Sequence, residues 1–346
     1  MQITKQRDSN LELYRIILML SIIAHHYVVN SGLLDLLGEG ALTIKAISFY
    51  IFGMWGKTGI NCFVLITGYF MCTSKITSLK FFKLVSEVMF YNIVIYAIFV
   101  LSGYAGFSVK GCVFAFLPVT SVSDGFASCF IVFYLFIPFL NVLVQHMTKR
   151  YHLLLIGLCV LVYTILGTIP KINVRMNYVE WFCVLYFISS FIRLYGLPEK
   201  ISVRSIRIGF LVSLIISIIS VVGIRYLFPS KEAYMLVSDS NHIMALVVSV
   251  FAFLTFKSLS IRPSRVINYL AQSVFGVLLI HANSDLMRHW LWDDVVNVLN
   301  QYQYSYAILW AMFTVVVIFT VCTLIDQLRI AFIERPFVYV FRKLKE

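Results

Sequence analysis

Apolar residues run along this chain in long blocks rather than with the period-two alternation of a half-buried strand. A helix that crosses the hydrocarbon core of a bilayer needs about 20 such residues. Ten blocks answer that description, at 11–30, 48–72, 82–103, 128–147, 152–170, 178–196, 205–228, 241–259, 268–288 and 306–328. Short polar stretches separate them, the tightest at 147–152. The pattern predicts an all-α polytopic membrane protein with about ten transmembrane helices, an even number that puts both ends on one side. The longest connections, 103–127, 229–240 and 289–305, leave no room for an inserted domain. Residues 1–346 therefore read as a single integral-membrane domain, without internal repeat and without a fused soluble domain.

Composition narrows the class. The chain is 60% hydrophobic and 13% charged, against roughly 45–50% and about 25% for a soluble domain. A soluble fold has too much surface to hide so many apolar groups. The +12 net charge is unevenly placed: 19 of the 28 Lys and Arg fall in the connections on the N-terminal side, eight on the other, and Arg15 lies within the first span. By the positive-inside rule both termini are cytoplasmic and the protein is a multi-pass resident of the plasma or inner membrane. Membrane lipids, rather than nucleic acid, are the expected partners of this charge. The seven cysteines lie mostly in apolar blocks without metal-ligand spacing, so no metal is expected. Met1–Asn10 is polar and the block behind it is too long for a signal-peptide core, so no cleavable signal is expected.

Ionisable groups inside the spans are costly, about 2.5–3.5 kcal/mol or more each. The first span holds Arg15, His25 and His26. Eleven residues separate Arg15 from His26, which returns to within about 20° of one helix face some 16 Å further on, with His25 turned away by about 80°. This stripe is either the wall of a groove or a snorkelling arginine with two packing histidines. The second span places Asn61 at about the depth of His26. The ninth adds His281, with Asp285 one turn on as a candidate orienting group. Three helices would then share one polar layer, either a reaction centre or a network that joins helices. Lys80 and Lys83, at i and i+3 at the start of the third span, either hold phosphates of a cytoplasmic donor or only set topology.

These residues resemble the acyltransferase-3 family of integral-membrane O-acyltransferases. Arg15-x10-His26 is similar to the family's first-span signature. Gly59-Ile-Asn-Cys-Phe-Val-Leu-Ile-Thr-Gly68-Tyr69, Pro138-Phe139-Leu140-Asn141 and Trp181–Arg193 resemble its later motifs, as do Phe275–His281 and Ile325-Asp326-x-x-Arg329. The matches fall in order over roughly residues 10–330. Two departures are a Lys80-x-x-Lys83 pair in place of Arg-x-x-Arg and Thr67 in place of Ser.

The resemblance implies transfer of an acyl group, most often acetyl, from cytoplasmic acetyl-CoA as co-substrate to a hydroxyl of a cell-surface or lipid-linked carbohydrate. Lys80, Lys83 and Arg15 would engage the donor. His26, with His25 as the neighbouring alternative, would act as general base or take the acyl group transiently. Asn61 or His281 would orient it or stabilise the oxyanion. A separate acyl-handling partner protein fits a chain without its own esterase-like domain. The rival reading is a polysaccharide-unit flippase, exporter or polymerase.

Overall fold

The computed structural model describes residues 9–123, 125–169, 171–172, 174–228 and 232–343. Among them there are helices and no strands. In chain order they are α1 (Ser9–Val29), α2 (Leu33–Glu39), α3 (Ile44–Gly53), α4 (Gly56–Met71), α5 (Ser78–Leu101) and α6 (Val109–Phe116). Next come α7 (Phe126–His146), α8 (Lys149–Cys159), α9 (Tyr178–Tyr195), α10 (Val203–Leu227) and α11 (Ile243–Lys257). The chain closes with α12 (Arg265–Leu270), α13 (Val274–His281), α14 (Asp285–His289), α15 (Val298–Tyr302), α16 (Ala307–Arg329) and α17 (Arg335–Lys343). The apolar blocks make the helices and the polar connections start them. Thr43, Thr77, Thr148 and Ser202 each accept an N–H of the first turn of α3, α5, α8 and α10. Asn177 and Glu180 form a reciprocal capping box at α9.

Seven helical stretches are long and apolar enough to cross a membrane, and an eighth is added if the bent pair Arg265–His281 and Asp285–Val295 is one span. The protein is thus an all-α multi-pass membrane protein. The expected count of ten differs for three reasons. The 178–196 block is the helix α9, 18 residues long, but with Glu180 and Arg193 inside it the helix is less apolar than the seven. The 241–259 block becomes α11, only 15 residues long. The 268–288 block is not one rod: it breaks after His281 and bends by 95°. The second block, in contrast, starts earlier than expected, because α3 and α4 together form a 28-residue span, Ile44–Met71.

The helix α1 is shared by two apolar cores. Ile22, Ile23, Tyr27 and Val28 belong to one, with Phe49, Val277 and Trp292. Tyr14 and Leu18 belong to the other, with Cys62, Phe133, Trp181 and Phe253. Large apolar side chains of α10 and α16, such as Leu211, Ile219, Leu309 and Phe313, stay exposed on the outer surface, as a lipid-facing surface requires.

A buried ionic network ties α5 to the end of the chain. Arg329 donates to Asp326 at 2.8 Å, Glu87 at 3.0 Å and Glu334 at 3.1 Å. Tyr91 adds its hydroxyl to Asp326 at 2.7 Å. Charges removed from water need such partners, because one left alone costs about 3–5 kcal/mol. Gly276 of α13 lets Asp326 in: a Cβ there would lie 2.2 Å from Oδ1. Gly276→Ala should therefore displace the carboxylate and destabilise the protein by about 1–3 kcal/mol, read as a lowered midpoint in thermal unfolding of the detergent-solubilised chain.

Candidate active site

One cavity of about 1170 Å³ dominates the far end of the bundle from the N-terminus. Its walls come from α1, α2, α4, α5 and the broken span, and include His25, His26, Lys57, Asn92, Asn283 and Arg288. Lower down, Ile22, Val88, Leu278 and Leu279 make the lining apolar. The site therefore offers polar groups for orientation beside apolar space, the usual make-up of a small-molecule site.

The two histidines of α1 have different work. His25 is locked into helix packing: Nδ1 lies 2.6 Å from the Gly53 carbonyl. Its ring rests on Gly56, where a Cβ would meet it at 2.2 Å. Although about 80° from the Arg15–His26 stripe on a regular helix, His25 lines the same cavity as His26. The reason is the close approach of α3 and α4 that those glycines permit, which wraps the cavity around both residues.

His26 Nδ1 lies 3.0 Å from His281 Nε2, and His281 Nδ1 lies 2.6 Å from the Val277 carbonyl. Hydrogen-bond bookkeeping assigns the protons. A carbonyl only accepts, so His281 Nδ1 carries a hydrogen. Neutral His281 then presents a bare Nε2, which must accept from His26 Nδ1–H. That leaves His26 Nε2 unprotonated, and it has no protein partner among the described residues. The result is a directed chain, Val277 carbonyl to His281 to His26, ending in a basic nitrogen on a residue of the cavity wall. His281 itself is fully buried behind His26.

The remaining sequence candidates fall elsewhere. Asn61 is fully buried and off the cavity wall: it donates to the Ser240 carbonyl at 2.7 Å and accepts from Trp181 Nε1 at 2.8 Å. It does not join the histidines in one layer, because α4 turns its amide toward α9 and the segment before α11. Asp285 does not orient His281. The helix has already broken, and Asp285 pairs with Arg288 at 2.8 Å with its side chain in the open. Arg15 is bonded to Glu12 at 3.4 Å and does not reach the cavity. Lys83 pairs with Glu334 at 2.6 Å, and among the described residues Lys80 donates only to the Lys75 carbonyl, at 3.4 Å.

Sequence reading passed over Asn92, Asn283 and Arg288 as site residues. Asn92 carried a usable signal, a lone amide in the apolar run of α5. Asn283 and Arg288 carried none, because their place depends on the bend.

The acyltransferase-3 family model, described as an acyltransferase domain, matches residues 8–326. The chain belongs to the acyltransferase-3 family. No curated protein and no solved structure gives a significant match. As an acyltransferase-3 protein it is a membrane acyltransferase, and the family match covers every residue of the histidine chain.

A positioned general base contributes about 10²–10⁴-fold to rate. His26→Ala should lose acyl transfer by a factor in that range. His281→Ala should lower kcat by about 10²-fold with little change in substrate KM, and His281→Gln, which keeps an acceptor for His26 Nδ1–H, should recover part of it. Steady-state kinetics at equal protein level measures all three.

Proposed function

We propose that this acyltransferase moves an acyl group, acetyl in the simplest case, from acyl-CoA at the cytoplasmic face to a hydroxyl of a surface or lipid-linked carbohydrate. The observation that carries the reading is the hydrogen-bonded His26–His281 pair, with His26 on the wall of a cavity that also carries polar side chains. In this mechanism Nε2 removes the hydroxyl proton as the oxygen attacks the thioester carbonyl. The C–S bond breaks, the thiolate leaves, and His26 returns the proton to it as CoA thiol. While protonated, His26 stays hydrogen-bonded through Nδ1–H to His281, which holds the ring in place and spreads its charge. Both termini would be cytoplasmic, the spans would cross the plasma or inner membrane, and no metal would take part.

The donor's phosphates would sit at the lysines of α5, with Arg15 further along its path. Lys83 is then already engaged by a carboxylate, and phosphate must replace Glu334. That exchange is easy. The Lys83 side chain is 45% exposed, and Glu334 keeps its bond to Arg329 at 3.1 Å when Lys83 turns away, so the carboxylate is not left without a cation. Multiply charged phosphates compete well against one carboxylate.

Two measurements test this reading. The first is an O-acyl inventory of the host's surface glycans, by mass spectrometry and NMR, in wild type, gene deletion and deletion rescued with His26→Ala. Loss of one O-acyl group on deletion, not restored by the variant, supports it. Unchanged acylation with altered glycan amount or chain length points to export or polymerisation instead. The second is donor kinetics. Glu334→Gln should lower the KM for acyl-CoA by up to about fivefold, and Lys80→Ala with Lys83→Ala should raise it. Donor KM unmoved in both variants would leave the lysines as topology signals.

A further inference from the structure

A helix that stops inside a membrane leaves carbonyls that lipid cannot satisfy, so such breaks occur where the backbone borders protein or a wet cavity. The end of α13 is a break of this kind. Its last helical bond runs from Ala282 N to the Leu278 carbonyl at 3.1 Å. The carbonyls of Leu279, Ile280 and His281 receive no main-chain bond among the described residues. Leu279, Ala282, Asn283 and Ser284 all line the cavity. The break also begins at His281, the residue that holds His26, so whatever docks there lies next to the reactive nitrogen.

Two amides mark the same place. Asn283 Nδ2 donates to Asn92 Oδ1 at 3.0 Å, bridging the broken span to α5. Asn92 Nδ2 makes only a long bond, 3.4 Å, to the Leu117 carbonyl. Asn283 keeps its Oδ1 and its second Nδ2 hydrogen for other partners. The Leu279 carbonyl only accepts, so it favours a ligand with O–H donors over a phosphate or carboxylate, and Arg288, the cation beside the break, is already paired with Asp285 at 2.8 Å. The fixed amide pair adds one donor and one acceptor side by side, matched to neighbouring hydroxyls that each donate and accept.

We propose that the break in the ninth span is the acceptor subsite, where Asn283 and Asn92, together with the Leu279 carbonyl, take a neutral polyhydroxylated face of the acyl acceptor. Asn283 and Asn92 are specificity-determining residues that hold one hydroxyl at His26 Nε2 by binding its neighbours. The proposal rests on the acyl-transfer reading above and deepens it: the group beside the accepting hydroxyl is uncharged and hydroxylated.

The test uses membrane vesicles carrying the full chain, labelled acetyl-CoA as donor, and the host's own surface polysaccharide as acceptor at varied concentration. Asn283→Ala and Asn92→Ala should each raise the apparent KM for polysaccharide about tenfold, with donor KM unchanged. Asn283→Asp loses the donor to Asn92 Oδ1, but Asn92 can turn its amide so that Nδ2 donates to the new carboxylate, which still accepts from hydroxyls, so this variant should stay within a few-fold of wild type. An acceptor KM unchanged in both alanine variants overturns the proposal, as does a donor KM that rises with it. A collapse of acceptor affinity in Asn283→Asp deeper than in Asn283→Ala also overturns it, because that is the mark of an anionic acceptor face. If Asn283→Ala fails to accumulate in the membrane, Asn92→Ala decides. Absence of any transfer by the wild-type vesicles would instead overturn the acyl-CoA reading itself.

Discussion

Hydrocarbon offers no hydrogen bonds, so every polar group carried into the membrane must be answered by another part of the protein. The centre of this structure is built around that constraint. His281 closes on the Val277 carbonyl of its own helix and on His26 of α1. The two bonds set one proton arrangement in a pair of residues 255 positions apart. They also join the first span to the ninth at the level where the ninth ends. Leu279, whose carbonyl is left without a main-chain bond, lines the same cavity as His26. Positioning of the base and termination of the helix are thus one structural solution.

The opposite end of the bundle answers the same constraint with charge. Arg329 is surrounded by Asp326, Glu87 and Glu334, and Glu334 turns its other oxygen to Lys83. Replacing such a network with apolar residues often leaves stability unchanged or raises it, whereas breaking it is costly. What it secures here is geometry: α5, α16 and the segment leading into α17 are held in one register. Because α5 also carries Asn92 to the cavity wall, that register reaches the acceptor side of the proposed reaction.

Together the two ends give the molecule a polarity suited to moving a group between unlike substrates. One end is basic and solvent-exposed at Lys80 and Lys83. The other is a deep chamber with amides, carbonyls and a basic imidazole. The apolar lower lining, Ile22, Val88 and Leu278, is where an acyl chain would meet the least competition from water.

Much of this was legible in the residues. The length of the apolar blocks dictated membrane helices because 1.5 Å per residue must span about 30 Å. The cost of a buried imidazole made His26 conspicuous, whereas the 11-residue offset from Arg15 did not carry over, since Arg15 is not on the cavity wall. Local rules could not carry further. Periodicity treats 268–288 as one rod, so Asp285 was placed above His281, whereas the 95° bend sends it away and brings in Asn283. Depth alone put Asn61 level with the histidines, but its rotation toward Trp181 is set by how α4 packs on α9. The carboxylate beside Lys83 could not be read from the sequence, because Glu334 is far along the chain and only the fold brings them to 2.6 Å. Hydrophobicity and helical period are properties of neighbours in sequence. Which polar group answers which is decided by contacts between helices, and those exist only once the bundle has closed.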